Sequence, residues 1–205
     1  MRRLKCTVAL ISIIALLFFN SCSSFDPSLL NASNDEMPIK LLPLQQGLAG
    51  NIVRTESVKT ESVQSDFVTI FERELEKNVF AGSDSLWGYI ETKIIYNDRK
   101  PTVGGSVLFG VNLITLFIPS LFGVPWAIPK ETLQADVVIY NSSRAQIKKF
   151  TYTVSETYSM TLYSPDSGRE CEARIAKRIV KNFKDDLRKD VTLINKKLLE
   201  NGSLK

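Results

Sequence analysis

Residues 132–160 read TLQADVVIYNSSRAQIKKFTYTVSETYSM, and this stretch decides the fold class. Apolar and polar residues alternate on both sides of a polar break at Asn141-Ser142-Ser143, and a period of two is typical of strands with one buried face. The break contains turn-forming residues, so the stretch predicts an antiparallel β-hairpin. The predicted buried face carries Leu133, Ala135, Val137 and Ile139 on the first strand, and Phe150, Tyr152, Val154 and Tyr158 on the second.

Two segments outside this hairpin carry apolar residues at helical spacing. Residues 65–79 predict one helix, with Ser65 as its N-cap and Asp66 in its first turn. A long closing helix is predicted from Arg169 onward, because apolar residues recur there at steps of four. The apolar stripe of the closing helix comprises Cys171, Ile175, Ile179, Phe183 and Leu187.

Two further strands complete the predicted sheet. Residues 38–44 form a short apolar run between prolines, and residues 87–96 are rich in Trp, Tyr and Ile, which favour strands. The element order is then strand, helix, strand, hydrophobic insertion, hairpin and helix. This order predicts an α+β fold: a mainly antiparallel sheet with helices packed on one face, plus a hydrophobic hairpin insertion.

The insertion covers residues 101–129, and the chain carries no charged residue between Lys100 and Lys130. Its length would suffice for a membrane span, which needs ~20 apolar residues. However, Pro119, Pro125 and several glycines argue against one continuous helix. The pattern indicates two short apolar arms joined near Pro119-Ser120.

Three interpretations of the insertion stay open at this stage. It could be a hairpin that contacts a membrane or a protein partner, an element buried under the sheet, or a transmembrane helix. An exposed apolar patch of this size would imply a lipid or protein partner. The residues predicted to make the contact are Leu113, Leu116, Phe117, Leu121, Phe122 and Trp126.

The N-terminus has the build of a secretory signal peptide. Three cations precede an apolar run over residues 7–19, and small polar residues follow. The sequence Phe19-Asn20-Ser21-Cys22 resembles the lipoprotein box of bacterial signal peptides. This resemblance implies cleavage before Cys22 and attachment of fatty acyl chains such as palmitate to that cysteine. Several chains hold a protein stably at a bilayer, whereas one does not. An uncleaved anchor helix and an ordinary signal peptide remain alternatives.

The signal organises the rest of the chain. Residues 1–21 are predicted to be the lipoprotein signal peptide, and residues 22–36 the lipidated N-terminus and a flexible tether. Residues 37–205 are predicted to form a single α+β domain that includes the insertion. Ser23 is not the aspartate that favours inner-membrane retention in enteric bacteria, so the expected location is the outer membrane, facing the periplasm.

Composition excludes several function classes. The chain has no histidine, which removes the commonest general base and most zinc and iron ligands. A net charge of +4 is too small and too scattered to predict nucleic-acid binding. Four acids, Asp84, Asp98, Asp136 and Asp166, have no spacing that pairs them for catalysis. We therefore expect no enzyme activity, no catalytic residues, no metal site and no cofactor.

Two remaining features have ordinary structural interpretations. Cys171 is left alone once Cys6 and Cys22 are assigned to the signal and the lipid, and its place on the apolar stripe predicts a buried, unreactive thiol. The closing helix also carries a row of cations that could meet anionic headgroups, although a solvated helix face shows the same spacing. This row consists of Lys177, Arg178, Lys181, Lys184 and Arg188.

The order of these elements resembles the envelope lipoproteins whose periplasmic domain is similar to the N-terminal domain of TolB. The resemblance rests on Cys22, the tether, the early strand, the helix over residues 65–79, the hairpin around Asn141 and the closing helix. It implies a non-enzymatic scaffold or accessory factor in an envelope secretion or assembly complex, with protein partners and homo-oligomerisation. The alternative is an accessory lipoprotein of outer-membrane lipid or lipopolysaccharide transport, and a hydrolase of envelope polymers is a third option.

Overall fold

The computed structural model describes residues 25–48, 61–83, 85–164 and 167–204. Cys22 and the predicted signal peptide lie outside these residues. Among the helices that are described, none has the combined length and hydrophobicity needed to cross a membrane. The chain forms two compact units. Of the described residues, the larger contains 26–48, 61–83, 85–100, 130–157 and 169–204, and the smaller contains the insertion 101–129 with Phe25 and residues 158–164 and 167–168.

The larger unit is built on a four-stranded sheet, so the predicted α+β class is confirmed. The strands follow one another in the order β1-β2-β3-β4, with β1 parallel to β2 and β3 antiparallel to β4. The sheet as a whole is mainly antiparallel. The strand bounds are Gln45–Leu48 for β1, Gly88–Pro101 for β2, Pro129–Asn141 for β3 and Gln146–Thr157 for β4.

The predicted hairpin is present as β3 and β4. Ala135 pairs with Tyr152 and Val137 with Phe150, so the apolar residues of both strands share one face. Asn141 closes the turn, since its side-chain Oδ1 accepts a hydrogen bond from the Ala145 backbone N–H at 2.8 Å. This is the local side-chain capping that makes asparagine a turn residue.

Two helices cover the apolar face of the sheet. Helix α1 spans Glu61–Glu74 and continues as a π-helical turn over Leu75–Val79, and the closing helix α4 spans Ser167–Asn201. Phe183 of α4 joins the layers, because its ring centre lies 5.4 Å from those of both Phe71 in α1 and Phe150 in β4. The predicted stripe of α4, including Cys171, is buried as expected.

Two boundary predictions were wrong. Residues 38–44 do not form a strand: Leu41 makes an isolated bridge with Phe80, and the pairing strand β1 follows it. Ser65 is not a helix N-cap, because α1 already runs through Glu61. In both cases the sequence pattern predicted an element within a few residues of its true position, but not the residue at which regular hydrogen bonding begins.

The segment predicted as a flexible tether is held against the larger unit from Asp26 onward. We call residues 26–36 the N-terminal strap. It begins with a 3₁₀ turn over Pro27–Leu30, capped by Asp26. Ser33 then donates hydrogen bonds from its backbone N–H and its Oγ to the two carboxylate oxygens of Glu74, both at 2.7 Å. The Asn78 side chain donates to the Ser33 carbonyl at 2.9 Å.

A buried lysine completes the attachment of the strap. Lys184 on α4 is 2% exposed, and its Nζ lies 2.5 Å from Glu74 Oε1. The same Nζ donates to Ser33 Oγ at 3.0 Å and to the Asp35 carbonyl at 2.6 Å. Burial alone would raise the pKa of Glu74, but hydrogen bonds from Lys184, Ser33 and Asn78 outweigh it and hold that pKa below its ordinary value. The pair therefore joins α1, α4 and the strap at one point.

Removing this ammonium should strongly destabilise the larger unit. A Lys184→Ala substitution leaves the Glu74 carboxylate buried without its cation, and breaking one partner of a buried ion pair typically lowers the free energy of unfolding by about 3–5 kcal/mol. Urea denaturation of the mature protein measures this loss. Lys181→Ala, three residues earlier on the same helix, is the control and should change stability by less than about 0.5 kcal/mol. Equal effects would contradict the assigned role of Lys184.

A second buried cluster lies where β2, β3 and α4 meet. Arg99 Nε donates to Glu131 Oε2 at 2.7 Å, and Arg99 NH2 donates to Glu172 Oε1 at 3.2 Å. The Glu131 side chain is 0% exposed and that of Glu172 is 8% exposed. Burial and, second, the nearby charge of Glu131 raise the pKa of Glu172 to about 7. Burial also raises the pKa of Glu131.

This cluster predicts a stability that falls as pH rises. Because the pKa of Glu172 is higher in the folded than in the unfolded chain, the folded state binds more protons between its ordinary pKa of 4.5 and about 7. The free energy of unfolding should therefore decrease across this window, by a few kcal/mol at most. Comparing urea midpoints at pH 5 and pH 8 with those of Glu172→Gln isolates the effect. The variant should lose this decrease, and a parallel pH profile would show that Glu172 is not its source.

Candidate functional site

The smaller unit contains a helical hairpin that we call the apolar hairpin, residues 103–124. Helix α2 spans Val103–Ile114, and the short helix α3 spans Ile118–Leu121. Two arms were predicted, but the join lies at residues 115–117 rather than at Pro119-Ser120. Pro119 stands in the first turn of α3, where its missing N–H breaks no hydrogen bond.

Two polar side chains of the apolar hairpin, Asn112 and Ser120, are turned inward. Asn112 and Ser120 are both 0% exposed. Ser120 Oγ donates to Asn112 Oδ1 at 2.6 Å, while Asn112 Nδ2 donates to the carbonyls of Leu108 at 3.0 Å and Pro125 at 3.2 Å. Thr115 Oγ1 likewise donates to the Val111 carbonyl of its own helix at 2.8 Å. The hairpin thus satisfies these polar groups internally.

The apolar side chains of the same hairpin face outward. Phe122 is 83% exposed, Leu116 81% and Ile114 83%, values that leave almost the whole side chain in contact with solvent. Large exposed apolar residues occur along both helices and the following turn: Val103, Val107, Phe109, Val111, Leu113, Ile118, Leu121 and Val124. This arrangement, polar inside and apolar outside, is the reverse of an ordinary globular element.

The six contact residues predicted from sequence divide into two groups. Leu113, Leu116, Leu121 and Phe122 are exposed, so the interpretation of a buried core element does not fit them. Phe117 and Trp126 are half-buried, because both pack against the Phe109 ring at centroid distances of 6.4 Å and 6.5 Å. Sequence reasoning missed Asn112 and Ser120. Their only signal in the sequence was polarity within a mostly apolar run, a property that they share with Ser106 and Thr115.

The base of the hairpin is packed backbone to backbone. Thr102 caps α2 by accepting from the Gly105 N–H at 3.0 Å, and its Oγ1 donates to the Ile128 carbonyl at 2.5 Å. A side chain at position 105 would meet the Ile128 backbone at 2.7 Å, so only glycine permits this approach. The Trp126 N–H donates to the Met160 carbonyl at 2.9 Å, and the Tyr163 hydroxyl donates to the Leu121 carbonyl.

The tip of the hairpin is strained. Leu116 and Phe117 both adopt left-handed backbone conformations, with φ of 53° and 59°. Glycine or asparagine would occupy these positions at less cost, which for other residues is of order 1–3 kcal/mol each. Large apolar side chains are retained there instead. The strained backbone indicates that apolar side chains at the tip matter more to this protein than a relaxed turn.

Two of the four acids named in the sequence analysis lie among the described residues, and each forms an ion pair. Asp136 accepts from Thr151 Oγ1 and pairs with Lys149, and Asp98 pairs with Lys100, while Asp84 and Asp166 lie outside the described residues. Burial raises the pKa of the Cys171 thiol to about 12, which keeps it protonated and unreactive. Within the described ranges, no three acidic, cysteine or histidine side chains are grouped as metal ligands would be.

Comparisons with known proteins identify no family for this chain. No protein-family model matches it, and no curated protein matches its sequence. Solved structures that share part of its course include a minor lipoprotein from Acinetobacter baumannii, at 7% identity, a TM-score of 0.39 and coverage of 72% of this chain and 93% of that one. A protein described as a lipoprotein from Caulobacter crescentus CB15 has 9% identity and a TM-score of 0.42, with coverage of 71% of this chain and 88% of that one. A Xanthomonas campestris protein of family DUF330 has 10% identity and a TM-score of 0.41, with coverage of 75% of this chain and 87% of that one.

The inward polar contacts should hold the apolar hairpin together. Asn112→Ala removes the donor to two carbonyls and the acceptor of Ser120, and each buried polar group left unpaired costs about 1–3 kcal/mol. Amide hydrogen exchange over residues 103–124 should therefore accelerate by tenfold or more, about 10-fold per 1.4 kcal/mol. Asn201→Ala is the matched control, because Asn201 makes an exposed hydrogen bond within α4. Unchanged exchange in Asn112→Ala would show that this network does not support the hairpin.

Proposed function

We propose that this chain is a bacterial envelope lipoprotein that attaches to its membrane twice, through acyl chains on Cys22 and through the apolar hairpin. In this role it acts as a non-enzymatic scaffold or accessory factor of an envelope complex. The observation that carries the proposal is the inverted hairpin, in which Asn112 and Ser120 are 0% exposed while most of the surrounding leucines, valines and phenylalanines face outward.

An inverted hairpin is the arrangement that a bilayer requires. Hydrocarbon offers no hydrogen-bond partners, so a segment that enters it must satisfy its polar groups internally. In water, by contrast, each exposed Leu, Val or Phe forgoes about 1.5–3 kcal/mol of burial free energy. The hairpin has too few residues in either helix to span a membrane, so it would insert into one leaflet.

The flanking residues favour lipid over a protein partner as the occupant. Charged residues are absent from 101–129 but stand at both ends, as Lys100 and Lys130. The Lys100 side chain is 73% exposed. Lysines at the ends of an apolar segment can keep their ammonium groups among headgroups while the segment enters the acyl region. Trp126 at the base of the hairpin is a residue type enriched at that boundary.

The finer parts of the proposal extend from the sequence. Signal cleavage before Cys22 is proposed from the lipoprotein box at residues 19–22, and location in the outer membrane facing the periplasm from Ser23. Protein partners and a homo-oligomer are proposed from the resemblance to envelope lipoproteins with a TolB N-terminal-like domain. A scaffold role fits a chain whose exposed surface feature is a contact surface rather than a reactive cleft. Such a scaffold would hold its larger unit at the membrane surface.

Brominated lipids provide the test. We expect Trp126 fluorescence to be quenched when the lipidated protein, carrying Trp87→Phe, is reconstituted in phosphatidylcholine vesicles with brominated acyl chains. A hairpin variant with Leu113, Leu116 and Phe122 replaced by Glu should lose most of this quenching, because three charges oppose entry into hydrocarbon. Mass spectrometry of the same preparation should show acyl chains on Cys22 and no residues before it.

The matched control carries Glu at three exposed apolar positions of the larger unit: Ile39, Leu193 and Leu199, which are 53–56% exposed. It should be quenched like the parent protein. If Trp126 of acylated protein is not quenched, the hairpin does not enter the bilayer. If the hairpin of this unquenched protein instead cross-links to another protein, the partner interpretation replaces the lipid one. An unmodified N-terminus that retains Met1 would overturn the lipid anchor itself.

A further inference from the structure

The strap places one face of the larger unit close to the acylated N-terminus. Asp26 is four residues after Cys22 (26 − 22), and four residues span at most about 14 Å when fully extended. Since residues 26–36 are held on α1 and α4, the anchor cannot move far from that face. The face of the strap must therefore lie near the headgroups whenever Cys22 carries lipid.

A cavity of about 380 Å³ opens on this face. Its walls come from the strap at Asn31 and Ser33, from α1 at Ile70, and from α4 at Val180. Ile70 and Val180 make part of its floor apolar, whereas the remaining lining side chains are charged. These are Asp35, Glu74, Lys177, Lys181 and Lys184.

The structure separates the row of cations on α4 into paired and unpaired members. Lys184 pairs with Glu74, and Arg188 NH2 pairs with Asp35 Oδ1 at 2.6 Å, so both carboxylates of the cavity wall are neutralised. Arg178, outside the cavity, pairs with Glu156 at 3.2 Å. The two lysines at the cavity, one turn apart on α4, form no ion pair with any described residue. They are Lys177, half-buried, and Lys181, exposed.

Asp26, at the start of the strap, forms no ion pair with Lys177 or Lys181. The pKa of Asp26, the first residue of the strap, lies below its ordinary value mainly because Ser28 donates two hydrogen bonds to its carboxylate. The charge of Lys177 contributes a smaller lowering of the same pKa. Asp26 Oδ1 accepts from the Ser28 backbone N–H at 2.9 Å, and Asp26 Oδ2 accepts from Ser28 Oγ at 2.7 Å.

We propose that this cavity binds the phosphate of an anionic phospholipid headgroup in the anchoring membrane, with Lys177 and Lys181 as its cationic ligands and the Asn31 amide beside them. The proposal rests on the proposed function, because it is the acylated Cys22 that brings this face to the bilayer. The net positive charge of the wall complements a phosphodiester. The apolar floor at Ile70 and Val180 suits the glycerol end of a lipid better than a fully hydrated ion.

Native mass spectrometry of the lipidated protein in a neutral detergent tests this site. Phosphatidylglycerol and phosphatidylcholine with identical acyl chains are titrated separately, and we expect the wild type to bind the former more tightly. The double variant Lys177→Gln/Lys181→Gln should weaken phosphatidylglycerol binding by about 25-fold, roughly fivefold for each lysine near the surface. Binding of phosphatidylcholine should not change.

The matched control is Lys196→Gln/Lys197→Gln, which removes the same charge from exposed positions of the same helix. Lys196 lies 15 residues beyond Lys181 (196 − 181), about 22 Å along the axis. This control should bind phosphatidylglycerol like the wild type. Equal weakening in both double variants, or equal affinity of the wild type for the two lipids, would overturn the proposal.

Two further arms make every outcome decisive. If sn-glycerol 3-phosphate binds as tightly as phosphatidylglycerol, the cavity serves a soluble phosphate ester and the lipid source is wrong. Raising ammonium acetate from 50 to 500 mM should weaken phosphatidylglycerol binding to the wild type, which tests the charge interaction without any substitution. Masses showing Cys22 unmodified would refute the anchor, whereas acylated protein without lipid preference would refute this site alone.

Discussion

One buried ammonium determines where the chain leaves the folded body. Lys184 Nζ contacts Glu74 of α1 and both Ser33 and Asp35 of the strap, and the lysine is 2% exposed. A buried cation is tolerated only when its hydrogen-bonding capacity is met, so α1, α4 and the strap have to be assembled together. The consequence is geometric. A segment with the composition of a linker becomes part of the larger unit, and the distance from Cys22 to that unit is limited to a few residues.

The apolar hairpin obeys the same rule of polar satisfaction in the opposite environment. In the larger unit, Glu74 and Lys184 are buried against each other, with Ser33 and Asn78 as further hydrogen-bond partners of Glu74. In the hairpin, Asn112 and Ser120 meet each other inside a core whose outer surface is apolar. Both units therefore satisfy their buried polar groups, and what differs is the solvent for which their surfaces are suited. This difference supports a water-exposed role for the larger unit and a lipid-exposed role for the hairpin.

Sequence patterns predicted the elements whose causes are local. The β3–β4 hairpin and α4 follow from alternation and from steps of four, since in each the residues that share a face lie a few positions apart. The strap could not be predicted in this way, because Ser33 bonds to Glu74, 41 residues later. The break in the apolar hairpin was assigned to its prolines. It occurs instead where Leu116 and Phe117 take left-handed conformations and the Phe117 N–H bonds to the Asn112 carbonyl.

The cations of α4 show why a binding site can escape prediction even where the sequence clearly predicts the helix that carries it. Lys177, Lys181 and Lys184 stand at steps of four and three, and periodicity assigns all of them to one face. Their different roles depend on partners remote in the chain, since Glu74 lies 110 residues from Lys184. Glu74 pairs with Lys184, the most buried of the three. Lys177 and Lys181 are more exposed and form no ion pair with any described residue. A helix that must pack and also meet an anionic surface divides its cations in this way, because burial requires a paired charge and recognition requires an unpaired one.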